Sequence, residues 1–207
     1  MIVTISNRYG AGALAIAKRV ADELGYEYVD RELPVVVAKR LSVPVEVVEE
    51  NEDTGRSLGE RLLTGLEMAT PELAASSMGA QPFDEELLRA VQTAVREYAS
   101  HGNVVIVGRG GGVILKDRDD VVRVFMSAPR DWRIGHVVET TGADAKTAAS
   151  EVDRIDRARA AYLRDWYGAA FGDPSTYDLC IDTAALGQDG AVATIVAAVR
   201  ARGRSRA

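Results

Sequence analysis

Short runs of branched apolar residues alternate along the chain with stretches whose apolar positions recur at helical spacing. Residues 2–5 (IVTI) form the first run, and a helix is predicted over about residues 12–24, stopped by Gly25. "YEYVD" follows as a second strand, which makes a βαβ unit. From about residue 31 to 84 the pattern is helical and looser, with Ser42 and Pro44 marking one helix start and "TPELAASSMGAQP" reading as a mobile connection. "DEELLRAVQTAVREYASHG" then sets Leu87, Leu88, Val91, Ala94, Val95 and Tyr98 on one helical face, with Asp84 as a natural cap and Gly102 as the stop. "NVVIVGRGGG" reads as a buried strand emptying into a glycine turn, and "VVRVFMSAP" as another buried strand before a proline-opened segment. A charged helical stretch over 143–166, the strand "YDLCIDT" and a helix over 191–200 complete the pattern. Five strands alternating with helices predict an α/β architecture, a parallel sheet covered on both faces.

Composition narrows the class. The chain has 207 residues, 47% hydrophobic and 27% charged, which fits one globular domain with room for a small lid. A net charge of -6 argues against a dedicated nucleic-acid or anionic-membrane binder and leaves a phosphate pocket open. The single cysteine, Cys180, forms no internal disulfide and is expected as a buried strand thiol. No Cys and His cluster suggests structural zinc. "MIVTI" lacks the layout of a targeting leader and no apolar run is long enough to span a bilayer, so a cytoplasmic setting is expected. The arginines of "RARGRSRA" are expected in a frayed, solvated tail.

The stretch "ISNRYGAGALAIAKRVADELG" carries the most chemistry. Gly10, Gly12 and Ala15 spell G-x-G-x-x-A, and Asp30 follows at about the twenty-residue spacing of a dinucleotide fingerprint. Yet "SNRY" separates Ile5 from Gly10, a longer loop of the kind that wraps a phosphate. On the pattern G-x-x-x-x-G-K-[ST], Asn7 stands at the first glycine, Gly12 at the second, Ala13 at the lysine and Leu14 at the hydroxyl. Only Gly12 fits. The cation for the β and γ phosphates and the hydroxyl for Mg²⁺ are therefore missing from their usual places. The backbone amides of Tyr9, Gly10, Ala11, Gly12, Ala13 and Leu14 still open a helix, where they can cradle an anion. Arg8 either replaces part of the charge or bridges to solvent, and Lys18 lies a full turn further into the helix.

Together with "VVIVGRGGGVIL", "VRVFMSAPRDWRI", "DRIDRARAAYLRDWYG" and "DPSTYDLCIDT", this stretch resembles the cytidylate-kinase-like family, relatives of bacterial cytidylate kinase in the nucleoside monophosphate kinase group. The resemblance runs in order along nearly the whole chain and is weakest over residues 51–82. It implies a three-layer P-loop kinase fold with a parallel five-stranded sheet flanked by helices. The single domain, 1–207, would carry a helical monophosphate-binding segment over 31–83 and a lid over 130–172. By the same resemblance Gly10 and Gly12 match the phosphate loop, Asp30 and Arg31 the monophosphate-facing turn, and Gly108 and Arg109 the "GR" near the acceptor. Arg133 falls at the lid entry, and Asp153, Arg154, Asp156 and Arg159 resemble the lid pattern, so Arg8, Arg133, Arg154 and Arg159 are the candidate catalytic cations. Two departures stand out: Gly110 occupies the place of an acid in cytidylate kinases, and Ala13–Leu14 replaces the Gly-Arg common in family members without the lysine.

The implied activity is transfer of the γ-phosphoryl of ATP to CMP or a similar small acceptor, with Mg²⁺ bridging the phosphates and no protein metal ligand assigned. The implied partner is a nucleotide or other phosphate-bearing small molecule, with a homodimer compatible and neither nucleic acid nor membrane expected. A catalytically inactive nucleotide or anion sensor on the same fold is the alternative. Loop length and the downstream motifs disfavour a dinucleotide enzyme. Several residues keep a plainer reading: Asp30 as a cap, Arg109 as a donor to turn carbonyls, and Arg154, Arg157, Arg159 and Arg164 as ion-pair partners of Asp153, Asp156 and Asp165 on an exposed helix. His101 and His136 are expected at the surface. Trp132, Trp166 and Tyr167 are expected to pack at a helix or lid hinge rather than stack a base.

Overall fold

A computed structural model describes residues 1–30, 32–42 and 80–205. Its strands are β1 (Ile2–Asn7), β2 (Glu27–Val29), β3 (Val104–Val107), β4 (Val121–Ser127) and β5 (Leu179–Asp182). The described helices, numbered in chain order, are α1 (Ala13–Leu24), α2 (Glu32–Leu41), α3 (Ala80–His101), α4 (Gly111–Ile114), α5 (Arg130–Thr141), α6 (Ala145–Tyr167) and α7 (Thr183–Arg204).

All pairings are parallel and the strand order is β2-β3-β1-β4-β5, with Ile5 of β1 opposite Val107 on one side and Val124 on the other. β1 is thus central, and its alternating side chains divide between two apolar layers. Val3 and Ile5 meet Ile16 and Val20 of α1 and Val192 and Ile195 of α7. Ile2 faces the other way, with Val104 and Ile106, onto Val37 of α2 and Val91 and Val95 of α3. A third cluster joins Val137 of α5 to Ala148 and Val152 of α6, with Tyr9 packed against it.

The β1–loop–α1 unit forms as the sequence predicts. Ala13, Ile16, Ala17, Val20 and Ala21 are buried, the spacing of one helical face, and Gly12 and Gly25 cap the helix with φ of 71° and 66°. α6 begins at Asp144, whose carboxylate accepts the N–H groups of Lys146 and Thr147.

Other expectations need correction. α3 starts at Ala80 rather than after Asp84, because Pro82 is tolerated in a first helical turn. The last helix is capped by Asp182 and runs from Thr183, with a break at Gly187 (φ 65°, ψ 175°) that hides its first turn from a periodicity search. Ser42 follows α2 with φ of 56°, and the helix start expected from Ser42 and Pro44, like Arg31 and residues 70–79, lies outside the described residues. Cys180 is exposed: β5 is an edge strand, and Cys180 points away from the face on which Ile181 is buried. Among the described residues no helix is long and apolar enough to cross a membrane.

The arginine-rich end is helix through Arg204, and Arg202 is pinned to Asp178 at 3.0 Å. Burial alone raises the Asp178 carboxyl. Hydrogen bonds from the Arg123 side chain and N–H and from Arg202 together outweigh burial and hold it down from 3.8 to about 2. A depressed carboxyl contributes stability above its unfolded value and loses it as pH falls through its folded one. Thermal melts of the wild type and Asp178→Asn are therefore expected to differ by a constant gap above about pH 4 that closes towards about pH 2.

Candidate active site

The carboxyl edge of the sheet delivers Ser6 and Asn7 from β1, Asp30 after β2 and Val107 from β3 to one cavity of about 580 Å³. In open parallel sheets this edge, where strand order reverses, is the usual ligand crevice. The loop between β1 and α1 forms its floor. Gly10 has φ of 79°, and a Cβ there would sit 2.8 Å from the Arg133 carbonyl oxygen, so the loop can pass under α5 only with glycine at this point. Gly12 caps α1 without a side-chain hydrogen bond, so the first-turn N–H groups face the cavity, which Ala13, Leu14 and Ala15 line. Partial positive charge from the helix end adds to those donors.

The loop is held from outside by one buried pair. Arg133, 5% exposed on α5, donates to the carbonyls of Ala128 (3.0 Å) and Tyr9 (2.9 Å) and to Asp156 (2.9 Å). Asp156, 9% exposed on α6, also accepts the Tyr9 N–H at 2.9 Å and the Arg8 guanidinium at 3.2 Å. Both backbone groups of Tyr9 are thereby tied to the helices above it. A turn further along α6, Arg159 donates to the Asn7 carbonyl at 2.8 Å. Below the loop, Thr183 donates to the carbonyls of Ala11 (2.9 Å) and Ser127 (3.2 Å).

Asn7, Tyr9, Gly10, Gly12, Ala13, Leu14, Asp30, Gly108, Arg109 and Arg159 therefore come together on the cavity wall. Others do not. Ala11 is fully buried, Arg133 and Asp156 form a buried pair, and the partly exposed Arg8 bonds Asp156 and lies over the Phe171 ring at 5.7 Å. Arg133, expected at the lid entry, is a buried guanidinium that needs a balancing carboxylate, and Asp156 supplies it. Asp153 pairs with Arg130 at 2.7 Å, a hydrogen bond that lowers its carboxyl pKa, and neither it nor Arg154 lines the cavity. Arg31 lies outside the described residues.

The wall also includes residues that sequence reasoning left aside: His136 and Thr140 of α5, Tyr162 of α6 and Phe171. His136 is not simply a surface residue. Its ring stacks on Trp132 (5.1 Å, 17°), and its Nε2 lies 3.5 Å from where a Gly12 Cβ would be. The signal was present, since residues 133, 136, 137 and 140 share one helical face. Arg109 sits between Gly108 and Gly110 with φ of 55°, and φ is 71° and 67° at the two glycines. A Cβ on Gly110 would lie 3.0 Å from the Tyr167 ring, so tyrosine occupies the room an acidic side chain would need.

The groups present suit a polyphosphate. Among the described residues no group of three or more His, Cys, Asp or Glu is arranged to hold a metal ion. Magnesium needs less than that, since it is commonly bound by one or two carboxylates with substrate phosphates and water. Asp30 is the carboxylate on the described wall that would serve.

Sheet order, glycine loop and overlying helices define the three-layer P-loop kinase fold. The chain belongs to the cytidylate kinase-like family, whose sequence profile matches residues 2–185. It is 27% identical to a cytidylate kinase of Natronomonas pharaonis over 203 residues, 97% of this chain and 90% of that one. Among solved structures it is similar to an uncharacterised protein from Eubacterium ventriosum, with a TM-score of 0.68, 22% identity and coverage of 97% and 98%. A shikimate kinase from Bacteroides thetaiotaomicron shares the fold at a TM-score of 0.52 and 12% identity, covering 97% and 98%. Kinase-like nucleotide chemistry is thus the general assignment.

Two substitutions test the geometry. Asp156→Ala leaves the Arg133 charge buried without its partner and is expected to lower stability by about 3 kcal/mol or more, read by chemical denaturation. Gly110→Asp combines a left-handed φ with a clash on Tyr167, and is expected to cost about 1–3 kcal/mol without raising ADP production.

Proposed function

We propose that the protein is a slow nucleoside monophosphate kinase-like phosphotransferase, moving the γ-phosphoryl of ATP to CMP or a similar small acceptor. The observation that carries this reading is one cavity into which the N-terminus of α1, Arg159 of the lid helix and the Asp30–Arg109 wall all face. In it, amides of residues 12–15 donate to the β and γ phosphates, and Arg159 supplies charge from above. Asp30 and Arg109 orient the acceptor on the opposite wall. Asp30 would hold Mg²⁺ together with phosphate oxygens and water, and the ion would supply charge neutralisation. Phosphoryl transfer is mainly positioning plus charge stabilisation, so a fold that keeps the positions and loses one cation remains competent. Losing such a group typically costs roughly two powers of ten in rate, hence the slow turnover. A cytoplasmic setting, where ATP is abundant, belongs to the same reading.

A second reading, a nucleotide sensor without turnover, is favoured by the loop's own chemistry. Ala13 is 3% exposed in the lysine position, and Arg8 is engaged by Asp156. Calorimetry with ATP and Mg²⁺, followed by ADP assays with CMP, dCMP, UMP and AMP, separates the two. The kinase reading expects turnover with one acceptor, reduced roughly tenfold or more by Arg159→Ala or Arg109→Ala. ATP binding without turnover supports the sensor, and absence of binding contradicts both.

A further inference from the structure

The loop's one charged side chain, Arg8, is paired with Asp156, and positions 13–15 at the start of α1 are Ala, Leu and Ala, so a phosphate there would meet mainly neutral amides. Charge must come from other elements. Arg159 approaches from α6 and Arg109 from beyond β3, with Asp30 as the opposing carboxylate on the wall. The nearest approach to the α1 cap comes from α5. His136 Nε2 lies 3.5 Å from the point where a Cβ on Gly12 would sit, beside the first-turn N–H groups.

One contact holds the ring, and two hold the helix that carries it. The ring lies nearly parallel to Trp132 at 5.1 Å, and the Thr140 hydroxyl donates to the His136 carbonyl at 2.7 Å. One turn earlier, Arg133 ties α5 to the Tyr9 carbonyl at 2.9 Å, so the distance from ring to loop is set by the same clasp that shapes the loop. Lys18, further along α1, is exposed and does not line the cavity.

We infer that His136 donates from Nε2 to the terminal phosphates of a nucleoside triphosphate held at the α1 N-terminus, replacing from a neighbouring helix part of what the absent loop lysine would supply. The inference rests on the nucleotide reading above and deepens it. As an imidazolium the ring adds a positive charge to the donor, and charge-assisted hydrogen bonds to phosphate are about twice as strong as neutral ones. The alternative role for a stacked ring at this place is contact with a base.

The test uses the full chain and two probes, ATP and inorganic tripolyphosphate, titrated by calorimetry into wild type, His136→Phe and His136→Arg. Phenylalanine keeps a ring on Trp132 and removes only the nitrogens; arginine restores a cation. Melting temperatures near wild type establish that both variants are folded. The expected result is that His136→Phe weakens both probes by roughly tenfold or more, and that His136→Arg recovers most of the loss. Equal affinity in wild type and His136→Phe overturns the inference, as does an equal loss in both variants, which marks a role for ring shape alone. Weakened ATP with unchanged tripolyphosphate overturns it in favour of base contact. Binding of neither probe by wild type takes down the nucleotide reading itself, and this inference with it.

Discussion

The pair formed by Arg133 and Asp156 is the constraint on which the rest of the site depends. Two charges at 5% and 9% exposure are costly to desolvate, and their mutual attraction alone does not make such a pair stabilising. Here both partners also bond backbone: Arg133 reaches the Tyr9 carbonyl, and Asp156 accepts the Tyr9 N–H. The pair satisfies the polar groups of an irregular loop that passes under two helices. The return is shape rather than net energy. With Tyr9 held on both sides, Gly10 can pass beneath the Arg133 carbonyl, and Gly12 meets α1 at the angle that turns its amides to the cavity.

On the proposed reading, the cavity is an anion site built from backbone, with charge supplied by neighbouring elements. The loop contributes neutral donors and a helix end, while Arg159, Arg109 and His136 approach from α6, the turn after β3 and α5. With no cation at positions 13–15, charge placement at the α1 N-terminus depends on neighbouring elements. The attachment of α5 and α6 to the loop through Asp156 couples the position of those helices to the geometry of the loop. On the wall beyond β3, the Tyr167 ring takes the space that a side chain at Gly110 would need. On the proposed kinase reading, both departures would lower the electrostatic contribution to catalysis and leave positioning as the main resource.

Much of this was legible from residues. β1, β3 and β4 stand out because strands buried on both faces are continuous apolar runs, and α1 because its apolar face is clean and glycine bounds each end. β5 was found but misjudged at Cys180, since "DLCI" gives no hint that an edge strand leaves one side open. The clasp was not legible in its role. Asp156 and Arg133 were visible as parts of a lid pattern, yet which of several arginines turns inward depends on contacts spanning more than a hundred residues, from Tyr9 to α6. His136 was missed because an isolated histidine carries no signal until its helix face is traced from Arg133.

The central claim is that the backbone of the α1 loop is the phosphate cradle. Amide NMR of the isotope-labelled protein, with and without ATP and Mg²⁺, tests it most directly. The account expects shifts and slowed hydrogen exchange concentrated at the amides of Gly12, Ala13, Leu14 and Ala15. Saturable ATP binding that leaves those four amides unperturbed would contradict it.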